Sequence, residues 1–163
     1  MLEQVKAVVM DVDGVLTDGT FWWGTHGEEF KRFCFADVAG IALARNAGIK
    51  LALISGESSP DGMALVQRFA DKLKITHVYK GCHDKAAAVR DFAEKNQLQL
   101  PEICFIGDDL MDIPAMSVVG FAVAPADAQA AAKARAHLIT SRKGGHGAVR
   151  EVLDAILEKL SAA

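Results

Sequence analysis

Cysteine is scarce, with three residues in 163. Cys34, Cys82 and Cys104 are odd in number and form no CxxC pair, which argues against a disulfide framework or a thiolate metal site; they read as reduced thiols of a cytoplasmic protein. Long basic runs are absent and the formal net charge is −3, so nothing in the composition supports binding to nucleic acid or to an anionic membrane. No apolar stretch approaches the roughly 18 residues of a membrane span. The opening "MLEQVKAVVMD" carries an early acid and no long apolar core, unlike a secretory signal. There is no Pro/Gly/Ser-rich linker and no internal repeat, so the expectation is a single domain over 1–163. His26, His77, His83 and His137 show no ligand spacing and receive no role, and His146 reads as a surface residue.

What is present is a soluble, core-forming composition, 51% apolar and 24% charged, in which strand and helix signals alternate. The runs 5–10, 50–54, 77–79, 103–106 and 120–124 are short, apolar and bounded by turn residues, as strands buried on both faces should be. Between them, 37–48, 61–73, 84–97, 109–119 and 126–136 read as helices. A final amphipathic helix spans 147–160, with Val149, Val152, Leu153, Ile156 and Leu160 on one face. This alternation predicts an α/β fold, a Rossmann-like parallel sheet with helices on both faces. Residues 19–35, "GTFWWGTHGEEFKRFCF", interrupt it with aromatic clusters flanking glycines, and predict an inserted β-hairpin.

The polar residues gather where this fold binds ligands, beyond the carboxyl ends of the strands. The first strand ends at Asp11 and Asp13, the second at Ser55-Gly56-Glu57, and the run 103–106 leads into Asp108 and Asp109, with Asp112 one turn on. Lys85 follows Asp84 at a helix start. Two aspartates closing an apolar strand are costly to bury unless something compensates them. Converging carboxylates call for a hard cation, and oxygen ligands select Mg²⁺. A lysine and a hydroxyl opposite such an ion suit the remaining oxygens of a phosphoryl group. One aspartate can then attack phosphorus while its neighbour two residues on serves the leaving oxygen as an acid.

These residues, in this order, resemble the four motifs of the haloacid dehalogenase superfamily: "DVDGVLT" (11–17), "ISG" (54–56), Lys85 and "GDDLMD" (107–112). The resemblance implies that Asp11 is the nucleophile and Asp13 the acid/base, and that Ser55 and Lys85 bind the phosphoryl group. Asp11, Asp108 and the backbone carbonyl of Asp13 would ligate Mg²⁺, with Asp109 or Asp112 in support. A signalling receiver carries a similar residue set, but its lysine comes late, whereas Lys85 precedes the "GDD" block.

"DGVLTDG", the hairpin, "FADVAGI" (35–41) and "RKGGHGAVRE" (142–151) together resemble the capless tetrameric phosphatases of phosphorylated 3-deoxy-2-keto sugar acids. That likeness implies no cap domain, a homotetramer built through the 19–35 hairpin, and a neighbouring subunit that helps cover the site. It also implies a tail, about 141–163, whose glycines fold over the substrate. The candidate substrate-binding residues are Thr17, Gly56, Glu57, Lys72, Asp109, Asp112, Arg142, Gly144 and Gly145. Octulosonate 8-phosphate phosphatases usually carry Arg after the second-motif glycine, where this chain has Glu57. Glu57 and Lys72 look more like the branch acting on nine-carbon 9-phosphates, which is the expectation, with the eight-carbon 8-phosphate or a broader range of sugar phosphates as alternatives.

Overall fold

A computed structural model describes residues 2–162. The chain folds as β1 (Ala7–Asp11), a hairpin of β2 (Trp22–Trp23) and β3 (Glu29–Phe30), α1 (Phe35–Asn46), β4 (Lys50–Ile54), α2 (Pro60–Leu73), β5 (His77–Tyr79), α3 (Lys85–Lys95), β6 (Ile103–Ile106), α4 (Ile113–Val118), β7 (Phe121–Ala124), α5 (Ala130–Arg135), β8 (Leu138–Ile139) and α6 (Ala148–Ser161). Six strands form one parallel sheet in the order β5-β4-β1-β6-β7-β8. Chain order runs outward from β1 through β4 to β5, then crosses back to β6 on the other side of β1. The carboxyl end of β1 therefore lies at the point where strand order reverses, the place such sheets reserve for ligands.

Alternation along the strands divides the core between two faces. Val8, Met10, Leu51, Leu53, Cys104 and Ile106 pack with α1, α2 and α6 through Ile41, Phe69, Val152 and Ile156. Val9, Ala52, Ile54, Ile103 and Phe105 point the other way, onto Val89 and Phe92 of α3 and Met116 of α4. All five residues of β1 are buried, which explains its unbroken apolar run. Its register sets Asp11 beside Ile54 and Met10 beside Ile106, so the loops after β1, β4 and β6 open onto one edge.

The five strands expected from the sequence all form, and β8 is an addition. Its two residues were too short a run to read as a strand. The expected helix 109–119 is instead a 3₁₀ turn at Leu110–Asp112 followed by α4, because Asp112 turns back to cap the chain entering it. α5 starts at Ala130 and not at 126. On α6 four of the five expected face residues are buried, but Leu160, near its end, is exposed. Two caps place functional segments. The Ser59 side chain accepts from Gly62 N at 3.1 Å to start α2, with Pro60 in the first turn, where a missing N–H costs nothing. Asp84 accepts from Ala87 N at 2.9 Å and so starts α3 at Lys85.

The hairpin forms as expected and stands outside the main sheet. Trp22 pairs with Phe30 and Trp23 with Glu29. The two tryptophans are 70% and 72% exposed. At the hairpin's base Phe33 stacks on Phe69 of α2, ring centroids 3.9 Å apart.

Candidate active site

Asp11 closes β1 with its carboxyl almost fully buried. Val12 N donates to its Oδ1 at 2.8 Å and Lys85 Nζ lies 3.0 Å from its Oδ2. Lys85, itself buried, also donates to Asp112 Oδ1 at 2.6 Å. The other oxygen of Asp112 accepts from Asp108 N at 2.9 Å and Asp109 N at 3.1 Å. A buried cation thus bridges two carboxylates from different segments, and one of those carboxylates holds the loop after β6 in place. Removing Lys85 would leave the buried Asp11 and Asp112 carboxylates without their shared counter-charge, at a cost of about 3–5 kcal/mol.

The electrostatics follow from burial. Burial, and next the charge of Asp112, raise the Asp11 carboxyl well above its usual range against the pull of Lys85. Burial works against the Lys85 ammonium, yet Asp11 and Asp112 outweigh it and its pKa is raised. Asp108 is pushed up to about 7 by burial, then by the charges of Asp112 and Asp109. Carboxylates that are buried and crowd one another in this way are compensated when a cation sits among them.

Oxygens of Asp11, Asp108 and Asp112 lie within 4.8 Å of one another. Hard donors at this spacing fit a divalent cation of the Mg²⁺ class. Asp11 and Asp108 would hold the ion, with Asp112, which Lys85 and the N–H groups of Asp108 and Asp109 fix in place, in support. Gly14 allows Asp108 this approach: its φ is +84°, and a Cβ there would overlap the Asp108 carboxyl.

These groups line one open cavity of about 520 Å³ with Asp13, Gly19, Gly56, Glu57, Ser58, Cys82, His83, Asp109 and Met111. The structure therefore brings together Asp11, Asp13, Gly56, Glu57, Lys85, Asp108, Asp109 and Asp112 of the residues expected from sequence. Ser55 sits directly behind this wall, 1% exposed, its Oγ accepting from Glu57 N at 3.1 Å. Thr17 is buried beneath the loop, where its Oγ1 accepts from Gly14 N and Gly19 N at 3.3 and 3.2 Å and so shapes the turn.

Four expected residues are elsewhere. Lys72 is exposed in the last turn of α2, about 20 Å along that helix from the end that faces the site. Arg142 lines a separate surface groove with Glu151 and Asp154. Gly144 and Gly145 are buried against residues 14–18, where a Cβ on either would strike backbone, and Gly145 N donates to Val15 O at 3.0 Å. Those glycines serve close packing beneath the catalytic loop, and the tail is not draped over the cavity.

Sequence reasoning missed the cavity residues Ser58, Cys82 and His83, and it missed Lys31. The Lys31 ammonium reaches Asp13 and Glu57 from the hairpin. Its one available signal was alternation: Glu29 and Lys31 point inward while Phe30 between them is exposed.

A buried carboxylate at a strand end, a second beside it, a paired lysine and a place for a cation are the groups that phosphoryl-transfer chemistry uses. The model of the haloacid dehalogenase-like hydrolase family matches residues 63–153. The chain is 41% identical over 153 residues, 94% of its length, to the 3-deoxy-D-manno-octulosonate 8-phosphate phosphatase of Yersinia pestis, of which it covers 80%. A Yersinia pestis crystal structure of that name superposes with a TM-score of 0.93 at 39% identity, over 98% of this chain and 84% of the other. The Moraxella catarrhalis phosphatase of the same name, solved with magnesium ion, phosphate ion and KDO molecule, gives 0.92 at 36% identity, over 99% and 92%. The chain belongs to the haloacid dehalogenase-like hydrolases, and within them it is a capless phosphatase, a phosphoric monoester hydrolase. The expected preference for a nine-carbon substrate is not supported. The relatives carry the eight-carbon name, Lys72 is remote from the cavity, and Glu57 is engaged by Lys31.

Proposed function

We propose that this enzyme hydrolyses the terminal phosphate of 3-deoxy-D-manno-octulosonate 8-phosphate, with Mg²⁺ as cofactor, as a single cytoplasmic domain. The observation that carries the reading is the Asp11–Lys85–Asp112 cluster beside Asp108 at the mouth of an open cavity. Similarity over nearly the whole chain to phosphatases of that substrate supports the choice of sugar acid.

Asp11 is held for attack by Val12 N and Lys85. Its oxygen displaces the sugar oxygen at phosphorus and forms an aspartyl-phosphate, which water then hydrolyses. Lys85 lies where its charge can pass from the carboxylates to a phosphoryl oxygen as one arrives. Asp13, on the same cavity wall, gives its proton to the departing sugar oxygen and later takes one from water. Asp11 and Asp108 would hold the Mg²⁺, which when bound would supply charge neutralisation for the phosphoryl group. Among the described residues no element closes the cavity of about 520 Å³, so room remains for a sugar acid.

The exposed Trp22, Trp23, Phe21, Phe30 and Phe35 make an apolar patch of the kind that another copy of the chain covers. Burial of these hairpins against one another builds the homotetramer, and a neighbouring subunit then borders the open cavity.

The test compares kcat/KM for octulosonate 8-phosphate, 2-keto-3-deoxynononate 9-phosphate and N-acetylneuraminate 9-phosphate. The eight-carbon substrate is expected to lead by about tenfold or more, the scale on which a pocket discriminates between substrates of slightly different size, and EDTA to abolish turnover. A nine-carbon lead would overturn the substrate; turnover that survives EDTA would overturn the cofactor.

A further inference from the structure

Lys31 is a lysine with a side chain only 2% exposed, set immediately after β3. Its Nζ lies 3.0 Å from each carboxylate oxygen of Asp13, 3.4 Å from Glu57 Oε2 and 3.6 Å from Glu29 Oε1. Three segments, the loop after β1, the loop after β4 and the hairpin itself, therefore meet on one ammonium. Burying a lysine forfeits hydration and rotamer freedom, and only pairing of this kind compensates. Without the ammonium, Asp13 and Glu57 would stand as neighbouring carboxylates on one wall with no counter-charge, and repulsion would turn Asp13 away.

We propose that Lys31 is a positioning residue, which fixes the Asp13 carboxyl where it can meet the leaving oxygen and ties Glu57 to the same point. The inference rests on Asp13 as the acid of the reaction and does not depend on which sugar acid is the substrate. In the step concerned, an Asp11 oxygen–phosphorus bond forms and the phosphorus–leaving oxygen bond breaks. The Asp13 proton goes to the leaving oxygen, and Lys31 acts on this step only through its contact with the Asp13 carboxyl. Its contribution is the stance of Asp13, which matters in proportion to the leaving group's need for a proton.

That dependence separates positioning from general support of the fold. kcat/KM reports only the steps through departure of the leaving group, so it is measured in Mg²⁺ with glycerol 2-phosphate, whose alkoxide needs a proton, and with p-nitrophenyl phosphate, whose phenolate does not. Lys31→Met is expected to lose roughly 10- to 100-fold on glycerol 2-phosphate, part of what a well-placed acid contributes, and less than about threefold on p-nitrophenyl phosphate. Equal losses on the two esters, or no loss, overturn the proposal. If Lys31→Met lacks a cooperative melting transition, Lys31→Gln, which keeps a hydrogen-bond donor, carries the same comparison. Asp13→Asn run beside them distinguishes the two levels. A contrast between the esters in Asp13→Asn without one in the Lys31 variants overturns positioning alone. No contrast in Asp13→Asn overturns Asp13 as the acid and the proposal with it.

Discussion

The sheet edge and the hairpin are built on opposite principles. At the edge, Asp11, Lys85 and Asp112 are buried, mutually bonded and held by elements of the main fold. The hairpin has two-residue strands and carries its largest side chains in solvent. It is tied down at its base, where Lys31 meets Asp13 and Glu57, Arg32 Nη2 lies 2.9 Å from His146 Nε2, and Phe33 stacks on Phe69. In the proposed reading bond-breaking chemistry belongs to the scaffold, where positions are fixed by packing, and substrate enclosure to an appendage whose aromatic side chains stand exposed. Each region should then respond to mutation in its own way: rate and metal dependence for the edge and for Lys31 that reaches it, assembly and substrate affinity for the exposed aromatic part of the hairpin.

The largest expected effect is at the edge. Asp11→Asn removes the nucleophile and should lower kcat by about a thousandfold or more, with no phosphate trapped on the protein after acid quench. Because burial and Asp112 make the Asp11 charge costly in the folded state, the same variant should melt in EDTA at an equal or higher temperature than the wild type. Loss of both rate and stability would show that the edge is held together by the charge it uses, and would blur the comparison.

The edge was legible in the sequence, and so was the existence of the hairpin, but not which of its charges turns inward, for physical reasons. Strands buried on both faces write themselves as apolar runs, and Asp11, Asp13, Ser55 and Asp108 could be located because each follows such a run. Lys85 could be placed because Asp84 caps a helix. Lys31 sits in the polar run "GEEFKRF", where only the docking of the hairpin decides which charge turns inward. Lys72 and Arg142 were assigned to substrate by family likeness, and the fold carries both away from the cavity. The glycines of "RKGGHG" resemble a ligand loop in sequence, but the structure uses Gly144 and Gly145 to let the tail backbone touch residues 14–18. Glycine signals close approach without saying to what.

A smaller effect sharpens the edge's side of the comparison. The Asp108 carboxyl is raised from its usual 3.8 to about 7 by burial and by Asp112 and Asp109. The unfolded chain loses this proton near 4 and the folded chain keeps it to about 7, so in that window the folded state binds more protons. Stability from this group is therefore fully present at low pH and is lost as pH rises through about 7. In EDTA, Tm should fall from about pH 5 to about pH 8 more steeply in the wild type than in Asp108→Asn. The rise in Tm on adding Mg²⁺ should grow over the same interval, since the ion binds the ionised form. Parallel profiles for wild type and variant would remove Asp108 from the cation site.

The smallest effect on chemistry should come from the hairpin tip. Trp22 is 70% exposed and faces the same way as Phe30, away from the Glu29–Lys31 side. Within its own subunit Trp22→Glu touches no buried partner, and surface changes of this sort usually stay within about 0.5 kcal/mol of subunit stability. Turnover of p-nitrophenyl phosphate and the Mg²⁺-induced Tm rise should therefore change little, whereas a charge placed in each of several apposed hairpins should shift the sedimentation coefficient toward smaller species. With the neighbouring subunit gone, the cavity loses a wall, and KM for the sugar-acid phosphate should rise several-fold while kcat holds. If Trp22→Glu instead abolishes the metal response, the hairpin reaches into the chemistry through more than Lys31, and the division between a fixed edge and a detachable enclosure fails.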